Sequence, residues 1–370
     1  MTATFTTPAS IVTGAGSVEA LGEIAAALGA RALLVTGAGA LRSAGVTDRL
    51  IDLLASAGVK VTAFEQVEPE PGVEAVDRAR EAFAADHCDL LVAAGGGSAI
   101  DAGKAAAALA DETAPAGEFF SDRPVPAAGR PCIAVPTTAG TGAEVTPNSV
   151  LSDPSRGIKQ SLRGTALLPA AAIVDGELTA SCPPNVTASA GMDALTQAIE
   201  SYLSRHATPL TEALSVHAAE LVWQNILAAY QQGDDLAARD GMAYASLLAG
   251  MALANARLGA VHGMAHPIGF RTGVRHGVVC AVLLPGVLRF NREAAGPKYD
   301  ILQDIFGADP AEAAAYLLRR FSLPARLGGF GLREADFDDI AAESLTSGSL
   351  KANPKPLDEQ DIKGLLAEVL

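Results

Sequence analysis

Three of the six histidines in this chain fall within fifteen residues, in the segment HGMAHPIGFRTGVRH that runs from His262 to His276. His262 and His266 are four residues apart and would share one face of a helical segment, which Pro267 is expected to interrupt. His276 begins the next predicted helix. Neutral imidazoles that converge from two helices are suitable ligands for Zn²⁺ or Fe²⁺. The cluster predicts a metal site, and roles as ordinary core or capping histidines are the alternative.

A second pair of polar residues, Asp193 and Gln197, also has a spacing of four residues, in the segment GMDALTQAIE (191–200). This spacing places both side chains on one face near the start of a predicted helix. The carboxylate of Asp193 would supply the anionic oxygen ligand that the histidines lack. We therefore expect it to join the metal site.

Glycine-rich turns that could bind a phosphate occur at three places. Those at Gly14 and Gly37 lack the third glycine of a dinucleotide-binding fingerprint, and a simple strand-to-helix turn explains each of them at least as well. The turn GGGS (95–98) ends a buried strand and starts a helix, so backbone N–H groups can approach a pyrophosphate. A polar loop, PTTAGTGAEVTPN (136–148), follows another strand. Together the two loops predict a ligand crevice at the carboxyl edge of a sheet.

The elements that position these residues change character along the chain. In the first half, short β-branched runs alternate with helical patterns, which predicts βαβ units and a parallel sheet. From about Val186 the strand patterns vanish and long helical periodicities follow one another. We predict an α/β dinucleotide-binding domain with a Rossmann-like parallel sheet at 1–183 and an all-α metal and substrate domain at 184–370. Thr187 or Ser189 is the expected cap of the first helix of the second domain.

Composition excludes several classes of protein. The 370 residues are 49% hydrophobic, and 27 basic against 42 acidic side chains give a net charge of −15. Such a charge disfavours nucleic acid as a partner. The sequence shows no run of about 18 apolar residues and no signal peptide, so no membrane association is expected. The four cysteines are far apart, which fits a reducing cytoplasm better than a disulfide framework.

Four motifs in matching order resemble the iron-containing (group III) alcohol dehydrogenase family. They are GGGSAIDAGK (95–104), PTTAGTGAEVT (136–146), GMDALTQAIE (191–200) and HGMAHPIG (262–269) with His276. The resemblance spans roughly residues 5 to 300. It implies a dehydroquinate synthase-like fold, with a dinucleotide-binding α/β domain, a helical domain, the active site in the cleft between them, and often a homodimer.

The resemblance also implies a role for individual residues. The cofactor, NAD or NADP, would contact a set of residues on the sheet domain: Gly96, Gly97, Ser98, Asp101, Thr137, Thr138, Thr141, Lys159 and Leu178. The divalent metal, Fe²⁺ or Zn²⁺, would be held by residues that match an aspartate and three histidines: Asp193, Gln197, His262 and His276.

This chain departs from the family pattern at two places. Gln197 stands where the third histidine is expected, and an amide oxygen is a weaker ligand than an imidazole nitrogen, so we expect weak metal binding. The first strand of the nucleotide fold ends at Gly37 and Ala38, without the aspartate that many NAD-preferring members carry. NADPH should therefore be accepted beside NADH, with Arg42 as the one candidate contact for its 2′-phosphate.

The expected chemistry is hydride transfer between the nicotinamide and a small aldehyde or alcohol, with the metal polarising the carbonyl. His266, one turn from His262, is the candidate proton donor, and a role in shaping the pocket is the alternative. Arg271 and Arg275 precede His276 and are candidate contacts for an anionic group on the substrate, such as a semialdehyde carboxylate or a phosphonate. Exposed arginines paired with acidic neighbours are equally expected. Asn148 is a further candidate substrate contact.

Three other functions stay open from the sequence. A metal-independent oxo-acid reductase of the maleylacetate reductase type fits the weakened site at Gln197. A lyase of the dehydroquinate synthase fold shares the architecture and cofactor. A binding protein that has lost its metal is the third alternative.

Overall fold

The computed structural model describes residues 2–120 and 123–370 of the chain. They form two compact units. The sheet unit consists of Thr7–Cys182 and Asp234–Leu247, and the helical unit consists of residues 2–6, Pro183–Gly233 and Leu248–Leu370. No helix in the described part of the chain is long and apolar enough to span a membrane.

The two units differ from the predicted contiguous ranges in two segments. Asp234–Leu247 belongs to the sheet unit, where Tyr244 hydrogen-bonds Thr13 at 2.5 Å through their hydroxyls. Residues 2–6 belong to the helical unit, where the side chain of Asn255 bonds the backbone of Thr6 at 2.6 and 3.0 Å. Both segments are placed by contacts far along the chain, and the domain boundary between 183 and 184 stays a prediction.

The sheet unit is built on six parallel strands in the order β1-β8-β5-β4-β2-β3, with a separate antiparallel pair β6-β7. The strands are β1 (Ser10–Thr13), β2 (Arg31–Gly37), β3 (Lys60–Val67), β4 (Leu90–Gly95), β5 (Cys132–Pro136), β6 (Asn148–Asp153), β7 (Ile158–Arg163) and β8 (Ala171–Val174). The predicted parallel sheet is confirmed. The β6-β7 hairpin was not predicted from the sequence.

Helices cover both faces of this sheet, which is why its central strands are continuous apolar runs. The helices are α1 (Leu21–Leu28), α2 (Ala40–Ser43), α3 (Val46–Ser56), α4 (Val73–Ala85) and α5 (Gly97–Ala108). Successive side chains of β2 enter opposite cores, because strand residues alternate between faces. Leu33 packs in a core with α4 and α5, whereas Leu34 packs in a core with α1 and α3.

A buried lysine on α5 holds the loop that follows β5. Lys104 is fully buried, and its Nζ donates hydrogen bonds to the carbonyl of Ala143 at 2.8 Å and to Oγ1 of Thr146 at 3.1 Å. Burial lowers the pKa of this amine, against the opposing charge of Asp101, whose carboxylate is 3.6 Å away. The threonine-rich loop is thereby attached to the helix that begins at the GGGS turn.

The second half of the chain is helical, as predicted. It contains α6 (Pro184–Leu203), α7 (Pro209–Gln231), α8 (Leu236–Ala256), α9 (Ala260–Thr272), α10 (His276–Ala295), α11 (Pro297–Phe306), α12 (Pro310–Arg320), α13 (Phe337–Thr346) and α14 (Glu359–Glu368).

Two local predictions for these helices were wrong. Helix α9 continues through Pro267, because the buried side chains of Met264 and Ile268 stabilise it against the loss of one backbone hydrogen bond. Helix α6 begins about one turn before the predicted caps, with Pro184 in its first turn. A proline is tolerated there because the backbone N–H groups of the first turn have no partner within the helix.

Candidate active site

Four side chains of the helical unit bring potential metal-ligand atoms together. Asp193 lies on α6, His262 on α9, and His276 and Cys280 on α10. One ligand atom from each lies within 4.8 Å of all the others. Three of these residues were predicted from the sequence, whereas Cys280 was not.

The distances within this cluster are close to those expected for donors that share one ion. Nε2 of His262 lies 3.2 Å, and Nε2 of His276 lies 3.7 Å, from Oδ1 of Asp193. Two ligand atoms held about 2.0–2.1 Å from a tetrahedral ion lie about 3.3–3.4 Å apart. Asp193 and His262 are buried, whereas the side chain of His276 is 24% exposed. The cluster is therefore closed on the side of α6 and α9 and accessible beside His276.

A buried carboxylate that sequence reasoning missed fixes the orientation of His262. Oε2 of Glu200 lies 2.7 Å from Nδ1 of the imidazole, and Oε1 accepts a hydrogen bond from the backbone N–H of Val261 at 2.6 Å. Glu200 is on α6, seven residues and thus two turns after Asp193, so both side chains lie on one face. With Nδ1 bonded to Glu200, Nε2 faces Asp193. A carboxylate that orients a histidine in this way is typical of metal sites.

Two glycines allow the helices to approach closely enough for this arrangement. A Cβ on Gly259 would lie 2.7 Å from Oε1 of Glu200, at the start of α9. A Cβ on Gly277 would overlap the carbonyl oxygen of Ser189, so α10 packs directly against α6. Gly277 follows His276, and the close packing brings that imidazole to Asp193.

The carboxylate and the imidazoles of the cluster favour each other's charged forms, and a divalent cation would take the place of the imidazole protons. Burial alone would raise the pKa of Asp193, but the charge of His276 and the hydrogen bond with His262 lower it. Burial alone would lower the pKa of His262, but Cys280, Asp193 and Glu200 raise it well above its usual value. Protons on imidazoles beside anionic donors are displaced when a metal binds. The donor set therefore fits a divalent metal.

Gln197 contacts the cluster through its amide nitrogen. Nε2 donates a hydrogen bond to Oδ2 of Asp193 at 3.2 Å. The amide oxygen Oε1 is buried, and no described residue donates a hydrogen bond to it. A buried acceptor of this kind needs a partner such as water or a cation. The predicted role of Gln197 as a metal ligand stays a prediction.

His266 lies against the cluster. Its ring stacks on that of His276, with centroids 5.1 Å apart and planes inclined by 21°. The three clustered histidines therefore come together in space, because the rings of His262 and His276 are also 5.3 Å apart.

The GGGS turn of the sheet unit forms an uncapped helix N-terminus. Gly96 is the N-cap of α5, and no side chain caps this end. A Cβ on Gly97 would lie 2.7 Å from Cγ2 of Thr141, and one on Gly96 would lie 3.3 Å from Oγ1 of Thr138. The structure thus places two of the predicted threonines directly against the turn. Thr137 follows β5 and bonds the turn through its backbone N–H, which donates to the carbonyl of Gly95 at 2.9 Å.

Ser98 and Lys159 are linked through Glu70. The hydroxyl of Ser98 accepts a hydrogen bond from the backbone N–H of Glu70 at 3.3 Å, and the carboxylate of Glu70 pairs with Lys159. Both predicted cofactor contacts therefore have partners within the protein.

Three further predicted residues, Asp101, Leu178 and Asn148, contact other parts of the sheet unit. One carboxylate oxygen of Asp101 accepts the backbone N–H of Val150 at 3.0 Å, which attaches α5 to β6. Leu178 is buried in the core between the sheet and α1 and α3. The side-chain amide of Asn148 donates to the hydroxyl of Ser161 across the β6-β7 hairpin at 3.2 Å.

The three arginines considered for anionic ligands differ in their partners. Arg42 forms a bidentate pair with Glu65, at 2.6 and 3.2 Å, and also contacts Asp48. Arg271 pairs with Glu343, a residue of α13. Arg275, immediately before His276, is exposed and has no ion pair among the described residues.

Comparison with known proteins identifies the family to which this chain belongs. Residues 8–176 match the family model for iron-containing alcohol dehydrogenase, and residues 187–370 match the model for the C-terminal part of the same family. The chain is 39% identical to the 1,3-propanediol dehydrogenase of Citrobacter freundii over 368 residues, which cover 94% of each protein.

Solved structures agree with this assignment. The crystal structure of a 1,3-propanediol oxidoreductase superposes with a TM-score of 0.94 at 35% identity and covers 100% of both chains. The sulfoacetaldehyde reductase of Bifidobacterium kashiwanohense, solved in complex with NAD⁺, has a TM-score of 0.92 at 31% identity and covers 100% of this chain and 99% of its own.

The chain belongs to the iron-containing alcohol dehydrogenase family. It is an NAD(P)-dependent alcohol dehydrogenase, of a family that uses NAD(P) and iron or another divalent metal. The resemblance drawn from the four sequence motifs is thereby confirmed.

The Glu200–His262 pair predicts a measurable contribution to metal affinity. Glu200→Gln keeps an oxygen for the Val261 N–H but removes the carboxylate that orients and polarises His262. We expect metal affinity to fall about 10- to 100-fold, measured by competition with a chromophoric chelator. Glu220→Gln is the matched control, because Glu220 pairs with the exposed His217 on α7. Equal affinity in the two variants would show that Glu200 serves only the fold.

The glycine turn generates a second prediction. Gly97→Val places a branched side chain at the first residue of α5, where it would also displace Thr141. We expect the affinity for NADH and NADPH to fall about tenfold or more in a fluorescence titration. Gly364→Val, on α14 with no atom within 4 Å of an added Cβ, is the control. Unchanged nucleotide affinity in the Gly97 variant would rule out the turn as the pyrophosphate site.

Proposed function

We propose that Asp193, His262 and His276 hold the divalent metal of this dehydrogenase, and that the GGGS turn of the sheet unit holds the pyrophosphate of NAD(P). The observation that carries the proposal is the buried cluster in which Glu200 directs His262 toward Asp193. The reaction is hydride transfer between the nicotinamide and a small aldehyde or alcohol.

A divalent metal held by Asp193, His262 and His276 would supply Lewis-acid polarisation of the substrate carbonyl. The residues around it have separate tasks. Glu200 holds the tautomer and orientation of His262, and the amide nitrogen of Gln197 restrains the carboxylate of Asp193. His276 is the partly exposed member of the cluster, so the substrate approaches beside it.

The nucleotide would be bound by backbone groups more than by side chains. The first N–H groups of α5 face away from the helix without a side-chain cap, and the helix dipole favours an anion there. Thr138 and Thr141 add hydroxyls at the same turn. We propose that NAD and NADP are both accepted. Strand β2 ends without a carboxylate that would repel the 2′-phosphate of NADP, and Arg42, which pairs with Glu65, gives no strong preference for that phosphate.

We propose that His266 delivers the proton to the product oxygen. Its ring stacks on His276, which places it next to the exposed member of the cluster without making it part of the ligand set. An imidazole titrates near neutral pH and can act as a general acid there.

The experiment that tests this function is aldehyde reduction by the purified protein with NADH and with NADPH, each with and without a chelator. We expect turnover that the chelator removes and added metal restores. His262→Ala should lose both bound metal and turnover while keeping nucleotide affinity, whereas His217→Ala on α7 should lose neither. Turnover that survives both the chelator and His262→Ala would favour a metal-independent reductase instead.

Arg275 supports a proposal for the substrate class. Its guanidinium is exposed one residue before His276 and has no ion pair among the described residues, so it is available to an anionic group. We propose an aldehyde that carries a carboxylate, sulfonate or phosphonate. The sulfoacetaldehyde reductase among the similar structures is named for such a substrate.

The test of this substrate class compares two arginines. Arg275→Ala should raise KM for a carboxylate-bearing semialdehyde about 10- to 100-fold and leave KM for a neutral aldehyde of equal length unchanged, because one charge-assisted contact is lost. Arg271→Ala is the control, since Arg271 already pairs with Glu343. A similar change in KM for both aldehydes in the Arg275 variant would contradict an anionic substrate.

We also propose a cytoplasmic homodimer. The family resemblance supports the dimer, and the wide separation of the four cysteines in the sequence supports a reducing compartment.

A further inference from the structure

We propose that the thiolate of Cys280 is the fourth protein ligand of the metal, in place of the histidine that Gln197 replaces. This inference rests on the proposed metal site at Asp193, His262 and His276 and adds a ligand that neither the family motifs nor the sequence reasoning supplied.

The position of Cys280 is the first support. It lies four residues after His276 on α10, so the two side chains share one helix face. Sγ lies 3.5 Å from Nε2 of His276 and within 4.8 Å of the ligand atoms of Asp193 and His262. A sulfur at about 2.3 Å and a nitrogen at about 2.0–2.1 Å from one tetrahedral ion are about 3.6 Å apart. The observed separation matches that requirement.

Burial among the other donors gives the second support. Cys280 is fully buried, so its sulfur is out of contact with bulk water, and it is grouped with the ligand atoms of Asp193, His262 and His276. A cysteine binds a metal as the thiolate, and the metal displaces the thiol proton when it binds. Cys132 on β5 is also buried, but among the described residues it is not part of this group of donors.

The orientation of Gln197 is the third support. Its amide nitrogen, which cannot bind a cation, is the atom directed at Asp193. Gln197 therefore positions the carboxylate, and its buried amide oxygen is only a weak neutral donor, so the sulfur of Cys280 is the strongest further donor in the cluster. A thiolate is a softer donor than an imidazole or an amide, so the site should prefer Zn²⁺ or Fe²⁺ strongly over Mg²⁺ and Mn²⁺.

Cobalt substitution tests this assignment without reference to turnover. Co²⁺ bound by a thiolate gives an intense sulfur-to-metal charge-transfer absorption in the near ultraviolet, which nitrogen and oxygen ligands do not give. We expect this band in the wild-type protein and in Cys132→Ser, and its loss in Cys280→Ser and Cys280→Ala. Thermal melting of each variant establishes that it is folded.

Metal affinity distinguishes Cys280 from Gln197. In chelator competition, Cys280→Ser should weaken Zn²⁺ binding about tenfold or more, and Gln197→Ala should keep the cobalt charge-transfer band. Bound Co²⁺ without that band in the wild-type protein would overturn the role of Cys280 and leave the proposed metal site intact. Absence of any Co²⁺ or Zn²⁺ binding in the wild-type protein would overturn both.

Discussion

The contact between the carboxylate of Glu200 and the imidazole of His262 is the interaction on which the proposed metal site depends. The buried carboxylate of Glu200 on α6 accepts hydrogen bonds from the backbone N–H groups of Val261 and His262, near the start of α9. It also bonds Nδ1 of the His262 ring. The same helix carries Asp193 two turns earlier, so the position of α9 and the direction of Nε2 are set together. Gly259 and Gly277 make the close approach of α9 and α10 sterically feasible. The contacts that pack these helices together therefore also set the geometry of the proposed ligands.

The sheet unit also contains a buried ionisable side chain that holds a neighbouring segment in place. Lys104, buried on α5, bonds the loop after β5, and this loop carries the threonines that contact the glycine turn. In both units an ionisable side chain is kept in the interior by hydrogen bonds to backbone and side-chain partners. Each of these side chains holds a loop or a helix end that carries residues of a proposed site. Such groups are costly to bury when a partner is lost. The sites are consequently sensitive to substitutions that do not touch a ligand.

Much of this arrangement follows from local sequence patterns, and the remainder depends on contacts between distant residues. The βα alternation and the four-residue spacings of Asp193 with Gln197 and of His262 with His266 could be recognised in the sequence because each is a short-range feature. Cys280 and Glu200 had a signal as well, since they lie four residues after His276 and seven after Asp193. A single cysteine or glutamate in the sequence does not indicate a site, however, because its neighbours are known only once α6, α9 and α10 pack together. The pairing of Arg271 with Glu343 joins residues of two helices far apart in sequence, and no local pattern predicts it.

Anomalous X-ray scattering at the absorption edge of the metal, from crystals of the metal-loaded protein, would locate the ion of the proposed site. We expect one anomalous peak per chain, about 2.0–2.1 Å from Nε2 of both His262 and His276 and from a carboxylate oxygen of Asp193. Nδ1 of His262 should remain bonded to Glu200 in the same crystals. A peak elsewhere, or a bound metal that does not contact these three side chains, would contradict the proposed metal site.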